Sequence, residues 1–431
     1  MREFKSFYKT VEGNEGQKCH YPTRLDTYGC GCQHDCKYCY AKSLLEFRDL
    51  WNNESPSVAD VTKIENKIKT LKKGTVLRLG GMTDCFQPCE KQYKVTYKTI
   101  QLLNKYGIHY LIVTKSDLVA SDEYVKIMDK SLAHIQITVT STDDNVALTY
   151  EKATPSSKRI QAIEKLEALG FDVQIRLSPF IPDYVDIEIV SKIKCKRAIV
   201  EFLRVNTFIR RTFDLDYSKF THKEGGYYHL PLDVKKQLIR EIAKTKEVSV
   251  CEDSSEAYDY WRDNVNPFPD DCCNLRFTNK TKHLGNLDLL RLEKTAFLSS
   301  AIKTSGAIEN VEKWLETVDF NNACIISGFQ SEVERLVLER LLKTKAKIIF
   351  VMAKRMFSSY PQKYKEAVND GRMLIISPYD TIDSVVTKEA AKKRNIYVIN
   401  HAQNIVVGSV TPNGMLEALL RNCNKLITKL T

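Results

Sequence analysis

The sequence predicts an α/β protein: a partial (β/α) barrel followed by a Rossmann-like α/β domain. Short apolar runs alternate with amphipathic helical stretches, which is typical of parallel strands joined by right-handed crossover helices. The pattern breaks near Cys272 and begins again after a polar stretch, so we place the domains at residues 1–285 and 286–431. A length of 431 residues is sufficient for two domains.

Six apolar runs in the first domain are predicted to be strands, and a further strand is expected before Cys30. About seven parallel strands fit a partial or open barrel, whose catalytic groups gather at the carboxyl ends of the strands. The six predicted strands are Val76–Gly81, Tyr110–Ser116, Ile135–Ser141, Asp172–Phe180, Ala198–Val205 and Val248–Asp253. The predicted helices are Val58–Leu71, Lys91–Tyr106, Asp122–Leu132, Ser156–Leu169 and Leu232–Lys246.

The second domain repeats the alternation with more hydrophobic strands, which indicates a parallel sheet covered by helices. Its predicted strands are Ala323–Gly328, Lys347–Ala353, Met373–Pro378, Ile396–Ile399 and Ile405–Gly408. Its predicted helices are Asp288–Thr304, Ile308–Thr317, Glu332–Lys343, Gln362–Asp370 and Thr381–Lys393.

Composition predicts a soluble cytoplasmic protein. No apolar run approaches the length of a membrane span, and the first residues lack the apolar core of a signal peptide. Thirteen cysteines without an export signal favour a reducing compartment and metal sites over disulfides. The net charge of +11 suits a polyanionic partner, although a lysine-rich solvated surface explains it equally well.

Three cysteines follow the first predicted strand with the spacing C-x3-C-x2-C: Cys32, Cys36 and Cys39. Three thiolates this close can hold three irons of a four-iron four-sulfur cluster and leave the fourth iron without a protein ligand. That iron could bind the amino and carboxylate groups of S-adenosylmethionine (SAM) and cleave it reductively. Two alternatives stay open: a zinc site completed by Cys19 or Cys30, or buried inert thiols.

This cysteine motif resembles the signature of the radical SAM superfamily, whose members make a 5'-deoxyadenosyl radical at such a cluster. The segment Thr83-Asp84-Cys85-Phe86-Gln87-Pro88-Cys89-Glu90-Lys91 resembles a run found in its DNA repair photolyase-like branch, which is related to spore photoproduct lyase. Other segments that fit this branch are Val113–Ser116, Thr138–Ser141, Glu151–Ser156 and Ile175–Pro182.

The resemblance implies roles for individual residues. Cys32, Cys36 and Cys39 bind the cluster. The implied cofactor-binding residues are Tyr38, Gly80, Gly81, Asp84, Lys115, Ser116, Ser141 and Arg176. Tyr38 lies near the adenine of SAM, the two glycines face its amino group, and Ser141 and Arg176 bind ribose or carboxylate. Each polar residue among them could instead be a cap or turn contact.

The remaining cysteines of the first domain suggest two further roles. Cys85 and Cys89 are predicted at the barrel mouth, where either could donate a hydrogen atom or bind a metal. Cys251, Cys272 and Cys273 could form an auxiliary metal site, or could be ordinary packed thiols.

The second domain contains a strand-to-helix turn, Ile326–Glu332, whose backbone N–H groups could hold a phosphate. This turn, the segment Gly371–Pro378 and the later Lys393-Arg394-Asn395 resemble the nucleotide-binding fold of the DNA-processing protein A family. The resemblance implies that Gly328 and Arg394 face a phosphate. A purely structural α/β appendage is the alternative.

Together these features predict a radical SAM enzyme that acts on a nucleic acid base or nucleotide, in repair or modification. The implied cofactors are a four-iron four-sulfur cluster and SAM, and the implied electron donor is a flavodoxin or ferredoxin. Two alternatives remain: a radical SAM enzyme for a peptide or small metabolite, and a non-enzymatic iron–sulfur protein that binds nucleic acid or senses nucleotides.

Overall fold

The computed structural model describes residues 4–9, 21–46, 48–72, 74–252, 255–266, 273, 275, 282–302, 305–357, 359–378, 386–421, 423 and 425–430. The chain divides into two compact units, residues 1–259 with 271–275 and residues 260–270 with 276–431. The chain therefore returns briefly to the first unit before it continues into the second.

The first unit is built on one sheet, which has eight strands in the described part of the chain. They are β1 Phe7–Lys9, β2 Thr23–Leu25, β3 Val76–Leu79, β4 His109–Thr114, β5 Ala133–Thr138, β6 Asp172–Phe180, β7 Arg197–Phe202 and β8 Glu247–Val250. Strand β1 is antiparallel to β2, and from β2 onward each strand is parallel to the next. Because neighbours in the sheet are also consecutive along the chain, the predicted open (β/α) barrel is confirmed.

Helices are found at the five predicted places but are shorter than predicted, the predicted helix Lys91–Tyr106 is divided into two, and the other helices of this unit were not predicted. They are α1 Tyr40–Glu46, α2 Val61–Ile68, α3 Glu90–Tyr93, α4 Val95–Lys105, α5 Asp122–Ile127, α6 Asp144–Leu148, α7 Ser156–Ala168, α8 Ile187–Lys192, α9 Thr207–Thr212, α10 Leu232–Ala243 and α11 Ser255–Asn264, with a 3-10 turn at Asp117–Ala120. Two short antiparallel pairs join Tyr28–Gly29 to Ser57–Val58 and His222–Glu224 to Tyr227–His229.

Two residues of the returning segment, Cys273 and Leu275, pack against the strands of the first unit. Cys273 and Leu275 are buried with Tyr21 in one apolar cluster. The backbone oxygen of Cys273 accepts hydrogen bonds from the side-chain amides of Gln136 and Gln174, at 3.3 and 3.0 Å. These polar side chains come from strands β5 and β6, so the buried interior of the barrel contains polar as well as apolar groups.

The second unit is an α/β domain with a seven-stranded sheet in the described residues, ordered β9-β13-β12-β11-β10-β14-β15. Its strands are β9 Lys282–Gly285, β10 Thr295–Ser299, β11 Cys324–Ser327, β12 Lys347–Val351, β13 Met373–Ser377, β14 Asn404–Ser409 and β15 Leu426–Lys429. Only β9 runs antiparallel to its neighbour in this sheet. The helices are α12 Ala307–Glu316, α13 Glu332–Leu342, α14 Gln362–Asn369, α15 Lys388–His401 and α16 Met415–Arg421, with a 3-10 turn at Leu287–Arg291.

Two predictions for the second domain were wrong. The segment predicted as the helix Asp288–Thr304 contains the 3-10 turn and strand β10. The predicted strand Ile396–Ile399 lies inside helix α15. Strand β10 lies between β11 and β14 and is buried on both faces, so its residues lack the alternation that marks a half-exposed strand.

Two further strands, β9 and β15, were not predicted. Strand β9 precedes residue 286, at which the predicted second domain begins. The first residues of the predicted helix Thr381–Lys393 lie outside the described residues. Among the helices of the described residues, none has the length and apolar character needed to cross a membrane.

Candidate active site

The cysteine loop lies between the strand Tyr28–Gly29 and helix α1. Its backbone reverses sharply, since Cys30 and Asp35 have φ values of +53° and +42°. A Cβ atom on Gly31 would lie 1.8 Å from the backbone oxygen of Asn52, so only glycine fits there. The backbone N–H of Asn52 donates to the Cys30 oxygen at 2.7 Å, which fixes the start of the loop.

Two other segments hold the middle of this loop. The Gln33 backbone N–H donates to the Gln87 side chain at 2.9 Å, and the Gln33 side-chain oxygen accepts from the backbone N–H of Cys89 at 2.7 Å. Further on, the Lys37 N–H donates to the backbone oxygen of Tyr150 at 2.9 Å. The positions of the cysteines therefore depend on segments that follow two later strands.

The three thiols line one cavity of about 490 Å³, which lies at the carboxyl ends of the barrel strands. Cys32, Cys36 and Cys39 are all free of disulfides. Burial raises the pKa of each thiol, that of Cys36 to about 12. The Cys39 sulfur accepts the backbone N–H of Lys42 at 3.5 Å. A coordinated metal deprotonates such thiols, because its positive charge outweighs the cost of burying a thiolate.

Nine of the predicted site residues line this cavity: Cys32, Cys36, Cys39, Tyr38, Gly80, Gly81, Asp84, Lys115 and Arg176. They come from the cysteine loop, from the ends of β3 and β4, and from β6. The fold thus gathers residues that are up to 144 positions apart in the chain, from Cys32 to Arg176.

The Gly80-Gly81 turn is held by a buried carboxylate. Asp26 accepts the backbone N–H groups of Gly81 and Met82, at 2.7 and 3.0 Å, and the Tyr8 hydroxyl at 3.0 Å. Burial raises the pKa of Asp26 in spite of these hydrogen bonds. A Cβ on Gly81 would lie 1.7 Å from the Tyr8 hydroxyl oxygen, and Gly80 has a φ of +83°. Both glycines are therefore required by the local backbone and packing.

Tyr38 is held by a hydrogen bond to a carboxylate that belongs to a buried ion pair. Its hydroxyl donates to Glu151, which also pairs with Arg159. Burial alone would raise the pKa of Glu151, but the positive charges of Arg159 and Lys115 hold it below its usual range. The Lys115 amine lies 5.6 Å from the centre of the Tyr38 ring, and the Cys36 sulfur lies 4.0 Å from Glu151 Oε2. This group couples the cysteine loop to the ends of β4 and β5.

Asp84 binds protein groups from three directions. Its carboxylate accepts the Thr114 hydroxyl at 2.8 Å and the Lys115 backbone N–H at 2.7 Å, and lies 3.2 Å from His34 Nε2. Burial would raise the pKa of Asp84, but His34 and the backbone N–H groups lower it overall. The predicted role of Asp84 in cofactor binding stays a prediction, whereas its contacts tie the cysteine loop to two strand ends.

Arg176 forms an ion pair with a carboxylate of the protein itself. It pairs with Glu201 and donates to the Gln136 side-chain oxygen at 2.7 Å. Glu201 also accepts the Ser178 hydroxyl at 2.8 Å and lies 3.7 Å from Arg204. Burial would raise the pKa of Glu201, but the charges of Arg176 and Arg204 lower it to about 2. The assignment of Arg176 to ribose or carboxylate binding stays a prediction.

Four predicted site residues do not line the cavity: Cys85, Cys89, Ser116 and Ser141. Cys85 is buried against the backbone oxygen of Leu25 at 3.6 Å, and burial raises the pKa of its thiol. Cys89 precedes helix α3. The hydroxyls of Ser116 and Ser141 bond to backbone groups two residues further on, which is the turn contact considered as an alternative. Their catalytic and cofactor roles stay predictions.

The predicted auxiliary metal site is only partly described. Cys251 lines the cavity, and Cys273 is buried in the apolar cluster against which Cys251 packs. Cys272, like the possible zinc ligand Cys19, lies outside the described residues. Within those residues, no three or more histidine, cysteine, aspartate or glutamate side chains are grouped so that they could hold one metal ion.

In the second unit, Arg394 and Gly328, which were predicted to face a phosphate, are in direct contact with each other. Arg394 is buried and donates to the side-chain oxygens of Gln330 and Asn395, at 2.6 and 2.8 Å. A Cβ on Gly328 would lie 2.3 Å from Arg394 Nη1. The guanidinium group therefore packs on the glycine and occupies the space above the turn.

The backbone N–H groups of the same turn are also engaged. The buried carboxylate of Glu334 accepts the N–H groups of Gln330 and Ser331, at 2.7 and 3.1 Å, and that of Ser299 at 3.1 Å. Ser331 and Glu334 form a capping box at the start of α13. The phosphate-binding roles of Gly328 and Arg394 stay predictions.

Two protein-family models match parts of the chain, one in each unit. Residues 27–192, which contain the cysteine loop, the Gly80-Gly81 turn and Arg176, match the model of the Radical SAM superfamily. The first unit thus contains a region similar to this superfamily, which we call the radical SAM domain. Residues 282–416 match the model of DNA recombination-mediator protein A. The second unit thus matches the family that its sequence motifs resemble, that of DNA-processing protein A.

Individual relatives match parts of the chain. An uncharacterised protein of Methanocaldococcus jannaschii is 31% identical over 166 residues, which are 37% of this chain and 61% of that protein. The chain thus spans about three fifths of the length of this curated relative. A spore photoproduct lyase with bound SAM and dinucleoside spore photoproduct is 14% identical, covers 56% of this chain and 79% of its own, and has a TM-score of 0.42. DNA processing protein A of Streptococcus pneumoniae is 20% identical, covers 35% of this chain and 54% of its own, and has a TM-score of 0.29.

The residues of the radical SAM domain fit an iron–sulfur cluster. Three free thiols lie on the wall of one cavity, one sulfur already accepts a backbone N–H, and the loop that carries them is fixed at several points. Cysteine thiolates with hydrogen bonds to sulfur are the usual environment of such clusters. The same cavity has room beside the thiols for a small cofactor.

Several residues at the site of the radical SAM domain were missed by the sequence analysis: Arg24, Asp26, His34, Arg78, Glu151 and Glu201. Glu151 begins the motif Glu151–Ser156, and His34 lies inside the cysteine loop. Charged residues inside otherwise apolar strands, such as Arg78 and Glu201, were the available signal for the others. Such positions are costly to bury unless a partner or ligand compensates the charge.

Proposed function

We propose that this protein is a radical SAM enzyme that acts on a nucleic acid base or nucleotide. In this proposal Cys32, Cys36 and Cys39 hold a four-iron four-sulfur cluster and SAM binds beside it. The observation that carries the proposal is that these three free thiols share one cavity with the Gly80-Gly81 turn. When bound, the reduced cluster supplies the electron that cleaves SAM to methionine and a 5'-deoxyadenosyl radical, which abstracts hydrogen from a substrate carbon.

The chain's own residues position the reactants. The Gly80-Gly81 turn, held by Asp26, leaves no side chain between the backbone and the cavity, so a ligand can approach closely. The hydrogen bond from Tyr38 to Glu151 keeps that ring at the cavity wall. Groups fixed before binding lose less entropy when the ligand binds, which favours a single reactive geometry.

A nucleic acid substrate is supported by three features. The net charge is +11, arginines line the cavity, and the second unit matches a family named for DNA recombination. A positively charged protein that contacts phosphates attracts nucleic acids regardless of sequence. The expected electron donor is a flavodoxin or ferredoxin.

Binding of single-stranded DNA or RNA by the full chain tests the substrate class. We expect binding that weakens with salt, with a slope of about −0.7 in log K per phosphate contacted. Three contacts predict a loss of affinity of roughly 20-fold between 50 and 200 mM salt, measured by fluorescence anisotropy. An absence of binding, or an affinity that does not change with salt, would favour a peptide or small metabolite as the substrate.

A further inference from the structure

Helix α9 and the antiparallel hairpin His222–His229 border the cavity of the first unit. Phe208 and Ile209 line the cavity from α9, and Tyr227 lines it from the hairpin. The backbone N–H and oxygen of Tyr228 bond to those of Val205, at 2.8 and 2.9 Å, so the hairpin is fixed to the segment that follows β7. A ligand that extends out of the cavity on this side therefore passes α9 and the hairpin.

Arg210 lies on the exposed side of α9, over two tyrosine rings. Its guanidinium carbon is 4.6 Å from the centre of the Tyr228 ring and 5.5 Å from that of the Tyr217 ring. The Tyr217 hydroxyl donates to the backbone oxygen of Ile209 at 3.1 Å, which holds its ring against the helix. Because a guanidinium group is attracted to the face of an aromatic ring, the rings orient Arg210 without using its N–H donors.

Those donors have no partner in the part of the chain that the structure describes. There the guanidinium group of Arg210 neither donates a hydrogen bond nor forms an ion pair. The same holds for the amine of Lys223 on the hairpin, which lies 5.7 Å from the centre of the Tyr228 ring. The acidic residues between α9 and the end of the hairpin pair with neither of these two cations: Asp214, Asp216 and Glu224.

This arrangement suits the backbone of a single nucleic acid strand. The planar guanidinium group can donate two parallel hydrogen bonds to one phosphate, and stacking on a ring leaves the N–H groups in its plane available for them. Proteins that bind single strands combine such cations with aromatic rings. Two cations at one tyrosine ring, both with unused donors, therefore indicate a contact with phosphates.

The site is separate from the place proposed for SAM. Arg210 and Lys223 are exposed and do not line the cavity, whereas the SAM carboxylate is expected inside it, beside the Gly80-Gly81 turn. An anion bound by Arg210 and Lys223 therefore belongs to a ligand that continues beyond the cavity. A strand of nucleic acid does this, and a small metabolite enclosed in the cavity does not.

We propose that Arg210 and Lys223 bind backbone phosphates of a nucleic acid strand, next to the nucleotide that enters the cavity, and that the Tyr228 ring positions Arg210 for this contact. The proposal deepens the proposed function and rests on it for the identity of the cavity as the reaction site. It narrows the substrate to a nucleotide within a strand, because a single nucleotide inside the cavity leaves these two cations without a ligand.

The test uses the full chain and a fluorescent hexanucleotide of deoxythymidine, whose binding is measured by anisotropy. We expect Arg210→Gln to weaken binding about tenfold, because charged hydrogen bonds to a phosphate are lost. The slope of log K against log salt should become shallower by about 0.7, which corresponds to one phosphate contact. Thermal unfolding of each variant checks that the fold is intact.

The matched control is Arg211→Gln. Arg211 is the next residue of the same helix, is also exposed, and contacts no ring among the described residues. Its loss removes the same charge from nearly the same place, and it should change the affinity less than about twofold, because salt screens exposed charges that are not in contact. Equal losses in Arg210→Gln and Arg211→Gln would overturn the proposal and assign the binding to general surface charge.

A double variant tests the role of the Tyr228 ring. Tyr228→Leu alone should weaken binding, because Arg210 is no longer held in place. Tyr228→Leu combined with Arg210→Gln should bind no more weakly than Arg210→Gln alone, since both changes remove the same contact. Losses that add would show that Tyr228 acts independently of Arg210 and would overturn the positioning role.

A hexanucleotide with an uncharged methylphosphonate backbone identifies the group that Arg210 contacts. The parent protein should bind it more weakly than the charged strand, and Arg210→Gln should have no further effect on it. A persisting effect would assign Arg210 to a base and overturn the phosphate contact, as would a parent protein that binds neither strand. Because these assays need neither cluster nor SAM, their failure is distinguishable from a failure to form 5'-deoxyadenosine, which would contradict the proposed function instead.

Discussion

Replacement of Cys36 by alanine is expected to abolish assembly of a stable iron–sulfur cluster. Cys36 is one of three thiols available to hold three irons, and it lies between the other two in the loop. Two remaining thiols leave a second iron without a protein ligand, so the cluster dissociates. We expect about four irons per chain in the parent protein after anaerobic reconstitution and close to none in Cys36→Ala, measured by iron and sulfide analysis.

The matched control for this experiment is Cys423→Ala. Cys423 is a partly buried free cysteine in the second unit, so its removal tests for the general effect of losing a thiol. It should retain the iron content of the parent. Equal iron in Cys36→Ala and the parent would contradict the assignment of Cys36, and a parent that takes up no iron would contradict the cluster itself.

Replacement of Glu151 by alanine is expected to lower the free energy of unfolding more than any other single substitution proposed here. Glu151 is buried and accepts hydrogen bonds from Tyr38, Arg159 and, at 2.9 Å, Thr140. Its removal leaves the fully buried Arg159 without its counter-ion. Breaking a buried pair in this way costs about 3–5 kcal/mol. We expect the midpoint of thermal unfolding of the first unit to fall by roughly 10 °C, measured by calorimetry.

A double variant shows whether the unpaired charge is the cause. Glu151→Ala combined with Arg159→Met removes both charges, and it should be more stable than Glu151→Ala alone. Glu188→Ala, which breaks the exposed pair with Lys192, is the control and should leave the midpoint of thermal unfolding almost unchanged. If the double variant were no more stable than the single one, burial of the Arg159 charge would not explain the loss.

The sequence predicted the barrel well because each of its strands is a separate apolar run. Strand β6, Asp172–Phe180, has the predicted bounds, and helix α7 begins at the predicted Ser156. In the second unit the hydrophobic pattern was a poor guide where an element is buried. Burial removes the alternation of polar and apolar residues that distinguishes strands from helices. The run Ile396–Ile399 is rich in β-branched residues, yet it belongs to a helix whose buried face includes Tyr397, Val398 and Ile399. Tertiary packing outweighs local preference at such places.

The site could be predicted only as far as its motifs extend along the chain. The cysteine loop and the Gly80-Gly81 turn are local motifs, and the structure places them at one cavity. The contacts that support them join distant residues: Tyr38 with Glu151, 113 positions apart, and Asp26 with Gly81, 55 positions apart. No local pattern encodes such pairs, because closure of the barrel brings them together. Arg176 was assigned to a ligand from its motif alone, and its ion pair with Glu201 became visible only in three dimensions.

Reductive cleavage of SAM in this cavity is tested most directly by the amount of 5'-deoxyadenosine that the protein forms. The full chain is reconstituted with iron and sulfide and reduced anaerobically with SAM, with and without single-stranded DNA or RNA. We expect 5'-deoxyadenosine from the parent protein and none above background from Cys36→Ala. A parent protein that assembles the cluster and binds SAM, yet forms no 5'-deoxyadenosine even with nucleic acid present, would contradict radical SAM chemistry and favour a binding or sensing role.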